Sequence, residues 1–172
     1  MCIRDSEAID AIAQTVLRLL QRSFEAHDLG NDTGPLGPER IAIGVVHRAQ
    51  RSAARIRLGE LGAIAGIDTS GVTVDTANRL QGREYHVVVV LHPLSGRAAA
   101  SEFHLETGRL CVLLSRHRHS CIIVGRAGIA ELLDMHPLST PIWLGAPIPV
   151  PDGWEANQVV LEGLRAHTVV MQ

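Results

Sequence analysis

Four short apolar runs, at residues 41–46, 71–76, 85–91 and 120–124, constrain this chain more than any other feature. They are rich in β-branched residues, and the runs at 41–46 and 85–91 are almost continuously apolar rather than alternating. That pattern fits strands buried on both faces, as in a parallel sheet. The stretches between them carry helical spacing. Residues 48–58 and 105–117 read as helices, 77–84 as a turn or short helix, and 128–135 as a short helix. Strands alternating with helices predict an α/β fold with a parallel sheet and helices on both faces. Upstream, Ile9, Ile12, Ala13, Val16, Leu19 and Leu20 mark an amphipathic helix over 7–27. Gly30, Gly34, Pro35, Gly37 and Pro38 make 28–39 a loop, and 95–101 is a polar loop. Residues 137–151 hold five prolines around Ile142, Trp143 and Leu144 and read as an extended segment. A last helix is expected over 154–167.

Composition narrows the function. A length of 172 residues suggests one domain with small appendages. No apolar run approaches the roughly 18 residues that a bilayer span requires, so no membrane partner is expected. The formal net charge is −2, which argues against a broad basic surface. Nucleic acid would have to bind in a local groove. All 16 basic residues are arginine. Without lysine the chain cannot contain the G-x-x-x-x-G-K-[ST] loop, whose lysine reaches the β- and γ-phosphates of a nucleotide. The three cysteines form no CxxC pair, which fits a reducing cytoplasm. His104, His117, His119, Cys111 and Cys121 follow no zinc spacing, and no metal site is expected.

Residues 1–6, MCIRDS, stand apart. One back-translation, ATG TGT ATA AGA GAC AGY, looks like the mosaic-end sequence of a transposase used to build sequencing libraries. Its ATA and AGA codons are AT-rich, whereas the lysine-free, Ala-, Gly- and Val-rich remainder points to a GC-rich genome. The expectation is that residues 1–6 are adapter-derived and that coding sequence upstream is missing. The expected organisation is then a domain over 7–136, with a Pro-rich segment and helix appended over 137–172.

Three segments carry a resemblance. IAIGVVHRAQ spans residues 41–50, VDTANRLQGRE spans 74–84, and RLCVLLSRHR spans 109–118, followed by CIIVGR. In that order they resemble motifs IV, V and VI of superfamily 1 helicases, in the branch with a V-D-x-x-x-x-Q-G-x-E motif. The resemblance covers roughly half of the chain. It departs from the family pattern at Val45 and Val46, which replace Thr-Pro, and at Leu113 and His117, which replace small residues.

The resemblance implies a RecA-like fold, specifically the second motor domain of an ATP-dependent DNA or RNA helicase or translocase. Arg116 would be the arginine finger and Arg48 a second arginine at the γ-phosphate. His47 would pack against adenine, and Gln81, Gly82 and Glu84 would surround the nucleotide. Thr76, Asn78 and Arg79 would face the nucleic-acid backbone. ATP and Mg²⁺ would be held mainly by an upstream P-loop domain of the same gene, and single-stranded DNA or RNA would lie across both. The chemistry suits these residue types. A phosphoryl-transfer transition state spreads negative charge over its oxygens, which a permanently charged guanidinium neutralises. The alternative is a helicase-like module that binds nucleic acid or protein without hydrolysis. The plain structural alternatives are that Arg116 and Arg118 form a solvated helix face and that Arg83 and Glu84 pair on the surface.

Overall fold

The computed structural model describes residues 3–26, 34–136 and 152–170. Four parallel strands form the main sheet in the order β4-β3-β5-β6. They are β3 (Ile41–Val45), β4 (Thr73–Thr76), β5 (Tyr85–Leu91) and β6 (His117–Val124). Among the described residues two further strands, β1 (Glu25–Ala26) and β2 (Gly34–Pro35), form a small antiparallel pair. That pair falls at the end of the expected first helix and inside the expected 28–39 loop. Residues 27–33, which include the first part of that loop, lie outside the described residues.

The sheet is parallel because each crossover is helical. Helix α2 (Arg48–Ala65) links β3 to β4. The single turn α3 (Ala77–Leu80) links β4 to β5. Helices α4 (Glu102–Leu105) and α5 (Thr107–Leu114) link β5 to β6. Two differences from expectation have local causes. Helix α2 runs past residue 58 until Gly66 ends it in the left-handed region at φ 68°, a conformation that favours glycine. The helix expected over 105–117 stops at Leu114, because the chain from His117 onward joins β5 as a partner strand.

Side-chain alternation along β3 builds two cores. Ile41, Ile43 and Val45 face Ile9, Ile12, Ala13 and Val16 of α1 (Ile3–Gln21) and Ala54 and Leu58 of α2. Ala42 and Val46 face Ala77, Leu80 and Leu113 on the opposite side. Helices therefore cover both faces, as the continuous apolar runs require. A third cluster joins Leu94 and Leu105 to Ile129, Leu132 and Leu133, the last three on α6 (Ile129–Asp134). Trp154 and Leu161 of α7 (Gly153–Leu164) pack onto it. Trp154 Nε1 donates to the Leu133 carbonyl at 2.7 Å. The Pro-rich stretch 137–151, with Trp143, lies outside the described residues. Among the described residues no helix is long and apolar enough to cross a membrane.

Candidate functional site

In a parallel sheet the carboxyl ends of neighbouring strands open into crevices that bind ligands. Here the carboxyl ends of β3 and β4 meet in register, Val45 beside Thr76. A cleft of about 340 Å³ opens there, lined by Val46, His47, Arg48, Arg51, Thr76, Ala77, Asn78, Arg79, Phe103 and Arg109. Four guanidinium groups thus converge at one place on a chain whose net charge is −2.

Asp75 organises much of this charge. It is buried, at 7% exposure. Its Oδ1 accepts from Arg51 Nη1 at 3.2 Å and from the Thr76 amide at 3.0 Å, and Arg79 Nε lies 4.0 Å away. The first turn of α2 is set by a reciprocal cap. Gln50 Oε1 accepts from the His47 amide at 3.0 Å and the Val46 amide at 3.3 Å, while the His47 side chain accepts from the Gln50 backbone. This cap directs Arg48 outward, where it is exposed. On the far wall the His47 ring stacks on Phe103, and Arg109 lies over the Phe103 ring. Burial, aided by the charges of Arg97, His47 and Arg109, lowers the His104 imidazole to about 4. It is therefore neutral near pH 7.

A second group of expected residues sits elsewhere. Gln81, Gly82 and Glu84 form the exposed turn that leads into β5. Gly82 takes φ 78°, which a side chain disfavours. Arg116 immediately precedes β6, and its carbonyl accepts from the Tyr85 amide at 2.9 Å. Arg116 Nη2 donates to Ser115 Oγ at 2.8 Å, and its Nε is buried without a hydrogen-bond partner. Glu84 accepts from Arg118 Nε at 3.2 Å. The surface pair of Glu84 is thus with Arg118 across the β5–β6 edge, not with Arg83. Arg116 and Arg118 occupy a turn and a strand rather than a helix face.

The two groups stand at opposite ends of the sheet. His47, Arg48, Thr76, Asn78 and Arg79 lie at or just beyond the carboxyl ends of β3 and β4. Gln81, Gly82, Glu84 and Arg116 precede the amino ends of β5 and β6. The seven residues of β5 separate these ends by about 20 Å. The structure therefore does not bring Arg48 and His47 together with Arg116 and Glu84, although all four were expected around one nucleotide. The strands are parallel, so segments that follow a strand and segments that precede one fall on different edges.

Among the charged and aromatic side chains of the cleft, Arg51, Arg109 and Phe103 had no assigned role in the sequence reading. Arg51 sits one turn after Arg48 on α2, a spacing that could have flagged it. Arg109 lay inside a motif without a function of its own. Phe103 lies outside the matched segments, and no sequence signal pointed to it.

A family model described as an AAA domain matches residues 3–128. No curated protein matches the chain.

Proposed function

The chain belongs to the AAA domain family, and from that premise we propose that it is the second motor domain of an ATP-dependent superfamily 1 helicase or translocase. The observation that carries this reading is the convergence of Arg48, Arg51, Arg79 and Arg109 on one cleft of an otherwise acidic chain. Guanidinium groups match phosphate oxygens in planar, bidentate geometry. Thr76 and Asn78 in the same cleft add hydroxyl and amide groups of the kind that contact a sugar–phosphate backbone. The cleft is therefore the proposed strand-binding end, and Arg48 and His47 belong to it rather than to the nucleotide.

The nucleotide end is the opposite one. Arg116 is the proposed arginine finger, and its buried, unpartnered Nε leaves hydrogen-bonding capacity unused. Glu84 is exposed, and its pairing with Arg118 is solvent-screened, so a ribose hydroxyl can replace it at little cost. Gln81 and Gly82 offer an amide side chain and an open backbone beside it. ATP and Mg²⁺ would be held mainly by a P-loop domain, which would supply the metal ligands and the lysine that is missing from this sequence. When bound there, the metal neutralises charge on the transferring phosphoryl group. Arg116 would add its charge from this side of the cleft between domains, and closing that cleft would couple hydrolysis to movement along the strand.

The test uses this domain joined to its P-loop partner. Arg116→Ala is expected to leave ATP-analogue affinity nearly intact and to lower hydrolysis by about 10³-fold or more. Arg48→Ala is expected to weaken strand binding instead. Wild-type turnover in Arg116→Ala removes the finger assignment. The second reading, a binding module without hydrolysis, draws on the cleft alone, whose arginines all come from this chain. Strand binding by a wild-type protein with no ATPase activity would establish that module.

A further inference from the structure

Phosphate alone does not account for the far wall of the cleft. Phe103 keeps 44% of its surface exposed beside four arginines, yet its position is set on several sides. The His47 ring stacks on it, with centroids 5.2 Å apart and planes 19° apart. The Arg109 guanidinium carbon lies 3.7 Å from its centroid. Arg109 is itself braced, pairing with Glu106 at 2.5 Å and donating to the Phe103 carbonyl. His47 Nε2 lies 3.1 Å from His104 Nε2, and His104 Nδ1 and Ser101 Oγ share a hydrogen bond at 2.7 Å. An aromatic ring held this way remains half-open to water instead of turning into the core. Simple polyanion binding would need only the arginines. A ring adjoining them suits a ligand that carries a flat π-face next to each phosphate, which is a nucleotide unit of an unpaired strand.

We propose that Phe103, braced by His47 and Arg109, is a base-stacking platform for single-stranded nucleic acid. One nucleotide unit would sit in the cleft, its phosphate on Arg48, Arg51 and Arg79 and its base on the exposed surface of the Phe103 ring. This rests on the cleft being the strand-binding end. It adds a residue outside the matched motifs, and it makes binding depend on bases as well as on phosphates. Stacking tolerates every base, so the platform gives grip without sequence preference.

Fluorescence anisotropy with the whole chain tests it, using labelled dT15, rU15 and an abasic 15-mer that keeps the phosphates but lacks bases. The wild type is expected to bind a base-bearing strand more tightly than the abasic one. Phe103→Ala and Phe103→Leu are expected to lose about tenfold on the base-bearing strand and nothing on the abasic strand. Phe103→Leu keeps apolar volume, so it reports on the ring if Phe103→Ala does not fold. Loss on dT15, rU15 or both supports the platform and shows which sugar the cleft accepts. Arg48→Ala should weaken all bound strands alike. Equal wild-type affinity for base-bearing and abasic strands, unchanged in Phe103→Leu, overturns the platform and leaves the strand-binding cleft standing. Failure of the wild type to bind any of the three overturns the strand-binding reading, and the platform with it.

Discussion

His92 shows how a single side chain ties stability to pH. It follows β5 and is almost fully buried, at 2% exposure. Its Nδ1 accepts from the Leu94 amide at 3.2 Å, so the ring serves as a neutral acceptor at the start of the turn after β5. Burial lowers it from 6.5 to about 4. The unfolded chain therefore takes up this proton first as pH falls. The stability that His92 contributes is complete above about 6.5, declines through that value, and levels off near 4. The full loss is roughly 3 kcal/mol. Urea unfolding at pH 7, 6 and 5 should show a falling midpoint, and His92→Asn should remove about one proton from the slope. An unaltered slope in that variant would assign the acid sensitivity to other groups.

Helix placement depends on two glycines, one facing the sheet and one facing another helix. Gly44 lies in the middle of β3, where a Cβ would meet Leu113 Cδ2 at 2.8 Å and Leu80 Cδ1 at 3.4 Å. Its missing side chain lets α3 and α5 close onto the sheet. Gly44→Ala is expected to cost about 1–3 kcal/mol by overpacking, read as a lower urea midpoint with an unchanged m-value. An unshifted midpoint would mean that Leu113 repacks freely. Gly153 opens α7, and a Cβ there would come within 1.6 Å of the Leu105 carbonyl oxygen. That is a collision with backbone, so Gly153→Ala should push α7 away from α4. Protease digestion should then release the last helix sooner than in the wild type; equal digestion rates would contradict this docking. The Asp152–Glu155 capping box, with Glu155 N–H donating to Asp152 at 2.9 Å, still favours the helix itself. The expected loss is of docking, not of helicity.

Charge is arranged across the protein as a local patch on an acidic background. Four arginines face the cleft, and Asp75 and Glu106 already engage three of them. A bound strand, as proposed, would therefore displace few counterions. Each phosphate neutralised on a single strand contributes about −0.7 to the slope of log K against log salt. Two to four contacts predict a slope between about −1.4 and −2.8. A titration across salt concentrations checks this, and a slope much steeper than about −3 would require a basic surface beyond the cleft. The separation of the two ends has a further consequence. Strand and nucleotide would bind about 20 Å apart, so any coupling between them runs through β5 and the helices that cross the sheet. Helix α5 is one such link, since Arg109 lies at its cleft end and Ser115–Arg116 follows its other end.

Much of the fold could be read from residue order. Continuous β-branched runs such as 85–91 can be satisfied only by burial on both faces, so the parallel sheet and its two helical layers followed from pattern. The motif segments then pointed to a helicase-type motor domain, in keeping with the AAA family match. The division of the site lay beyond that reading. A motif records which residues are neighbours along the chain, whereas edges of a parallel sheet gather residues by whether they follow or precede a strand. Arg48 and Arg116 share a charge and a guanidinium but not an edge. Phe103 and Arg109 follow Arg51 by about 50 residues or more, and only the return of α4 and α5 past the carboxyl ends of β3 and β4 brings them to one cleft. That convergence depends on long-range packing, through Leu113 against Gly44 and Leu80, which local periodicity does not encode.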